Sequence, residues 1–202
     1  RRQRQMCIRD SYATYQIAEI YMANVDWPGN NTKFWREKAE SGKWKWIVFD
    51  IDAGLAAWAD DGFDATYNTL EIATEANGPS NMPWGRESTW PNPPWSTFVL
   101  RSLLTSQSFE NLFLVTLCNL MSTNFKPEIS KQWVDEKANL VIQEIDNHEN
   151  RWDASGRWYI EENRSTIKNF LDDRREHIIQ HFKDFFSLSG VMNALNIDLT
   201  QG

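Results

Sequence analysis

The chain has no long apolar run, little cysteine and no excess of positive charge. No stretch reaches the roughly 20 consecutive apolar residues of a membrane-spanning helix, and the 202 residues hold no internal repeat, heptad array or low-complexity tract. Acidic residues outnumber basic ones 28 to 21, a formal net charge of −7. That argues against a nucleic-acid partner, because affinity for nucleic acid rests on neutralising phosphates. The composition, 41% hydrophobic and 24% charged, is enough for one folded core. Tryptophan is abundant, with eleven residues; an aromatic core is the expected use and a ligand surface the alternative.

The first eleven residues, RRQRQMCIRDS, stand apart. They carry four arginines, no apolar periodicity and none of the n-region, h-region and cleavage pattern of a signal peptide, so neither a signal peptide nor a first helix is expected there. Residues 1–10 are identical to a one-frame translation of the transposon-end adapter used in sequencing libraries. The expectation is an artefactual leader over 1–11, in preference to a basic nucleic-acid-binding arm. Setting it aside takes Lys+Arg from 21 to 17 and Asp+Glu from 28 to 27, a net charge of −10. Cys118 is then the remaining cysteine; no internal disulfide can form, and its place in LFLVTLCNLM predicts a small buried hydrophobe. Cysteine usage gives no compartment.

From Tyr12 to about Asn24, Ile17, Ile20 and Tyr21 recur at helical spacing, and Pro28 and Gly29 end any helix soon after. TKFWRE and KWKWIVFD read as two strands joined by a turn around Glu40, Ser41 and Gly42. Residues 53–97, rich in Gly, Pro, Asn and Trp, read as a long, mostly irregular insertion. Beyond it three apolar stripes predict helices: Leu112, Phe113, Leu117, Leu120 and Met121; Ala138, Val141, Ile142, Ile145 and Trp152; Ile167, Phe170, Leu171, Ile178, Phe182 and Phe185. Pro127 separates the first two and residues 153–156 the next pair. The last residues, VMNALNIDLTQG, alternate as a strand would.

Two short segments carry chemistry. NVDWPGNN places Asp26 and Asn31 five residues apart, and WIVFDID places Asp50 and Asp52 after the second strand of the hairpin, with Gly54 shortly beyond. Phosphoryl transfer of the protein-kinase type uses a catalytic-loop Asp near the attacking hydroxyl, an Asn five residues on that binds Mg²⁺, and a second Mg²⁺-binding Asp after a short hairpin. Carboxylate and amide oxygens are the hard ligands Mg²⁺ takes, and few are needed because water and ATP phosphates complete the octahedron. Alone, Asp26 and Asn31 read equally as side chains capping a Pro-Gly turn, and the Asp50/Asp52 pair as a solvated strand end. The ordered set is more specific, and WIVF would bury the strand while leaving the Asp50 carboxylate at a cleft.

YMANVDWPGNNTKFWR, GKWKWIVFDIDAGL, STFVLRSLLTSQSFENLF and IDNHENRW resemble the CotH kinase family, atypical protein kinases related to bacterial spore-coat protein CotH. The resemblance covers about Tyr12 to Phe186. It implies an α+β, mostly α fold: a protein-kinase-like C-lobe with a catalytic-loop β-hairpin, a long Trp-rich insertion and a C-terminal helical bundle. Residues 12–186 would be the kinase domain and 187–202 the start of a linker or following β domain. Asp26 would be the catalytic acid, Asn31 and Asp50 would bind the cofactors ATP and Mg²⁺, and Asp52 would be a further metal ligand. The partner implied is a protein substrate with a serine acceptor, and the location suggested is secreted or on a bacterial cell surface. The lysine that pairs with the ATP phosphates belongs upstream of the catalytic loop, and no residue here fills that role, so the chain is expected to be a C-lobe fragment with little activity by itself.

Two other classes stay open. One is a pseudokinase or a surface module binding glycan or protein through Trp58, Trp84, Trp90 and Trp95; the other is a metal-dependent hydrolase built on Asp26, Asp50 and Asp52. His148 and Arg151 read as a structural helix face, Arg101 as an ion-pair partner at the core edge, and His177 and His181 as surface residues.

Overall fold

The computed structural model describes residues 2–76, 93–152 and 156–189. Seven helices and one hairpin follow in chain order: α1 (Arg2–Tyr21), β1 (Lys33–Arg36), β2 (Trp44–Ile47), α2 (Thr69–Thr74), α3 (Pro94–Leu104), α4 (Gln107–Ser122), α5 (Pro127–Ile142), α6 (Ile145–Trp152) and α7 (Gly156–Phe185). The fold is mostly helical, with one antiparallel two-stranded sheet in which Lys33 pairs with Ile47 and Arg36 with Trp44. None of the described helices is long and apolar enough to cross a membrane.

α1 is the axis of the fold. Tyr12, Ala13, Tyr15, Gln16, Ile17, Glu19, Ile20 and Tyr21 are all buried, so this helix is enclosed on nearly every side, as a central helix must be. It lies against α4, which buries Phe113, Leu117 and Met121 of the first apolar stripe together with Phe109, while Leu112 and Leu120 of that stripe are only partly buried. Trp46 of β2 meets Tyr12 edge-to-face at 4.9 Å. The helix runs back to Arg2, where no helix was expected. Arg, Gln and Met are strong helix formers and no Pro or Gly interrupts them, so the turn nucleated by the packed segment propagates without an apolar stripe.

The C-terminal end of α1 is held from far away in sequence. Arg174 of α7 is 0% exposed. Its Nε donates to Tyr21 O at 2.9 Å and its Nη2 to Ile20 O at 2.7 Å, while Nη1 donates to Ala65 O and Tyr67 O, both at 2.7 Å. One guanidinium thus satisfies helix-end carbonyls that no intrahelical N–H can reach and ties them to the loop before α2. Burial lowers its pKa to about 10, which leaves it charged at neutral pH.

Several expectations need correction. β2 stops at Ile47, so Asp50 lies three residues past the strand, and the strand is not buried: Trp44, Ile47, Val48 and Phe49 are all exposed. A two-stranded ribbon has one face for α1, taken through Trp46, and none of the described residues covers the other. The 53–97 segment is not simply irregular; it contains a 3-10 turn at Ala59–Asp61 and α2, with Phe63, Leu70, Ile72 and Ala73 in the core. Residues 77–92, including Trp84 and Trp90, lie outside the described residues, as does everything after Ser189, including the strand-like VMNALNIDLTQG. The second stripe breaks between α5 and α6 at Gln143 and Glu144, and Val141 and Trp152 are exposed. Among the described tryptophans only Trp27 is fully buried, so the aromatic-core reading fails for this residue type. Cys118 is exposed, on the outer side of α4 opposite the Phe113–Leu117 stripe.

Candidate functional site

Two loops leave the core side by side: residues 22–32 after α1, and residues 48–58 after β2. Leu55 N donates to Met22 O at 2.7 Å and Val25 N to Ala53 O at 3.2 Å. Gly54 sits where a Cβ would lie 2.9 Å from Met22 O, so a side chain there would push the loops apart. Five non-glycine residues in the pair have positive φ: Ala23, Asn31, Asp50, Leu55 and Ala56. Such conformations cost of order 1 kcal/mol or more and persist only where surrounding contacts enforce them.

For Asn31 and Asp50 the contacts that hold the backbone meet at the Asp50 carbonyl. That carbonyl accepts from Asn31 Nδ2 at 3.1 Å and Asn24 Nδ2 at 3.4 Å. Asn24, 0% exposed, also accepts the Asp26 N–H at 3.2 Å through Oδ1 and donates to Glu19 Oε2 at 2.9 Å. A single buried amide therefore fixes the backbone of both acids, and a buried carboxylate on α1 fixes the amide.

All four residues expected from the sequence, Asp26, Asn31, Asp50 and Asp52, come together. Asp26 is half-buried, and its carboxyl is raised above the usual range by burial first, then by the charges of Asp52 and Asp50, with a hydrogen bond from the Asn31 side chain pulling the other way. Asp50 and Asp52 are exposed at the loop surface. Among the described residues no three Asp, Glu, His or Cys side chains are close enough to share one ion. The acids feel one another's charge without forming a shared coordination sphere, and their donors are all hard oxygens.

The chain matches a family model described as CotH kinase protein over residues 9–178. It belongs to the CotH kinase family. No curated protein and no solved structure matches it. Membership makes this an atypical kinase-like chain, and the loop pair carrying Asp26, Asn31 and Asp50 lies inside the matched region. Relative to that family motif, Glu19 and Asn24 are the residues that sequence reasoning missed. Tyr12, Tyr15 and Glu19 lie at i, i+3 and i+7 of a helix otherwise read from its apolar residues, and a carboxylate on that stripe was the available signal.

Glu19 gives a pH-dependent prediction. Burial raises its pKa to about 7, against the opposing hydrogen bond from Asn24, and its Oε1 is buried without a partner among the described residues. An acid held more protonated in the folded state stabilises the fold below its unfolded pKa, and that stability is lost as pH rises through the folded pKa. Folding free energy is expected to fall by about 3 kcal/mol between roughly pH 4.5 and 7 on this account. Glu19→Gln should flatten that slope in urea unfolding measured at pH 5 and pH 8; an unchanged slope would refute it.

Other singled-out residues have structural roles. Arg101 donates to Thr97 Oγ1 and Pro94 O of its own helix and is not in an ion pair among the described residues. His148 and Arg151 are exposed on α6, with Arg151 beside the Trp152 ring. His181 is not a surface residue: its Nδ1 is buried, and burial followed by the charges of Arg174 and His177 lowers its pKa to about 4. Trp58 and Trp95 are exposed.

Proposed function

We propose that the chain carries the acid-and-metal half of an atypical protein kinase that transfers the ATP γ-phosphate to a protein serine, with its domain spanning residues 12–186. The supporting observation is the locked loop pair in which Asn31 holds the Asp50 backbone while the Asp26 carboxyl faces Asp50 and Asp52. Asp26 accepts the proton of the serine Oγ as that oxygen bonds to the γ-phosphorus and the bond from phosphorus to the ADP oxygen breaks. Its raised proton affinity suits that task at neutral pH. Asn31 Oδ1 and the Asp50 carboxylate are the residues to hold Mg²⁺, with Asp52 as a further ligand. Bound Mg²⁺ supplies neutralisation of the charge on the transferring group.

The test is γ-phosphate transfer from labelled ATP to serine by the full-length gene product. Labelled phosphoserine that disappears with Asp50→Ala supports the proposal; phosphoester hydrolysis without labelled protein would replace it with the hydrolase reading. The exposure of Trp58 and Trp95 favours a surface-binding module as the second reading. Glycan or partner binding that survives Asp50→Ala, with no transfer by the unsubstituted protein, would put that reading first.

The 202-residue chain by itself is expected to transfer little or no phosphate. Protein kinases place the phosphate-pairing lysine before the catalytic-loop acid, whereas the first lysine here, Lys33, follows Asp26 and holds its Nζ 3.1 Å from the centre of the Phe49 ring. Robust labelling of an acceptor protein by this chain with Mg²⁺ and ATP would overturn the expectation.

A further inference from the structure

A cleft of about 630 Å³ opens between α5, α7 and the C-terminal end of α1. That volume is within the roughly 300–1,000 Å³ of small-molecule sites. Its walls are apolar, built from Phe125, Trp133, Val134, Ile160, Ile167 and Leu171, and Ile51 and Leu55 of the second site loop also line it. Trp133 remains 46% exposed and Val141, at the rim, 53%, so apolar surface here lies open to water, where covering it is favourable.

Charge in the cleft runs against the chain as a whole. The protein carries a net charge of −7, yet no Asp or Glu lines the cleft, while Lys137 and Arg164 do. Arg164 is engaged by Asp135 at 2.7 Å. Lys137 has no hydrogen bond or ion pair among the described residues. It lies on the same α5 face as Val134, Ala138 and Val141, all of which line the cleft. An apolar trough with one uncommitted cation at its polar edge is complementary to a single-chain amphiphile with an anionic head.

We propose that this cleft binds a free long-chain carboxylate, with the acyl chain along the α5–α7 trough and the carboxylate at Lys137. The occupant would pack against Ile51, the residue between Asp50 and Asp52. The proposal does not depend on whether the chain transfers phosphate.

The test is calorimetric titration of the 202-residue chain with dodecanoate below its micellar concentration. Saturable one-to-one binding is expected, tighter than that of dodecanol, weakened severalfold by Lys137→Glu, on the scale of an exposed ion pair, and abolished by Ala138→Trp, which fills the trough. Thermal unfolding of both variants checks that they fold, and Lys137→Glu, on an exposed residue, keeps the test decisive should Ala138→Trp unfold. Absent binding, equal affinity for dodecanol, or binding indifferent to Lys137→Glu would overturn the proposal. So would a change of oligomeric state in Ala138→Trp without dodecanoate binding, which would assign the cleft to a second copy of the chain.

Discussion

Arg174→Met is expected to cost the fold about 2–6 kcal/mol, a large part of the roughly 5–15 kcal/mol that holds a domain together. The side chain that replaces it has similar length and no donors. It would leave Tyr21 O and Ala65 O without a hydrogen bond, and Ile20 O and Tyr67 O with only their backbone donors, Ala23 N and Thr69 N; each buried orphan costs about 1–3 kcal/mol. Arg174→Lys should recover little, because an ammonium cannot spread its donors across two chain segments as a planar fork does. Urea unfolding reads the loss directly, and hydrogen exchange should show it concentrated at the end of α1 and the loop before α2. A cost below about 1 kcal/mol would mean that water replaces the guanidinium and that the anchor is dispensable.

The second large effect concerns chemistry. In the full-length gene product, Asp26→Asn is expected to lower kcat for phosphate transfer by roughly 10²–10⁴-fold, the usual contribution of a positioned general base. Asp50→Asn should lower it at least as far, with a stronger dependence on Mg²⁺ concentration. Asp26→Asn should leave that dependence unchanged. Because groups that act as one unit are not additive, the double substitution should fall little below the worse single one. Rates that multiply would show that Asp26 and Asp50 do not serve one step.

Much of this arrangement was legible in the sequence, for identifiable reasons. The hairpin was readable because aromatic strands flank a Gly-containing turn, and α4 and α7 because their apolar residues keep helical period. The acids stood out because their spacing matches the order of parts expected of a phosphotransferase, and the loop pair brings their charges within reach of one another. What stayed hidden depends on distance in space. Arg174 looks like any charged residue in a DDRRE run, and only the fold puts it under the end of α1, more than 150 residues earlier in the chain. Asn24 was read only as the end of the helical segment, and its side chain links Glu19, Asp26 and Asp50. The exposed face of the ribbon was misjudged because an apolar strand pattern records affinity for a partner surface without saying whether one is present.

The positive φ angles of Asn31 and Asp50, 54° and 56°, also bear on descent. Glycine adopts this backbone without strain, and asparagine and aspartate are the next most tolerant residues. At position 50, whose side chain makes no hydrogen bond among the described residues, a lineage selected only for a folded domain has an unopposed route to glycine, whereas Asn31 is also kept by its bond to the Asp50 carbonyl. Keeping Asn and Asp there requires selection on their side chains. On the proposed function, relatives that retain Asp50 should be the ones under selection for turnover, and those with glycine there the ones released from it.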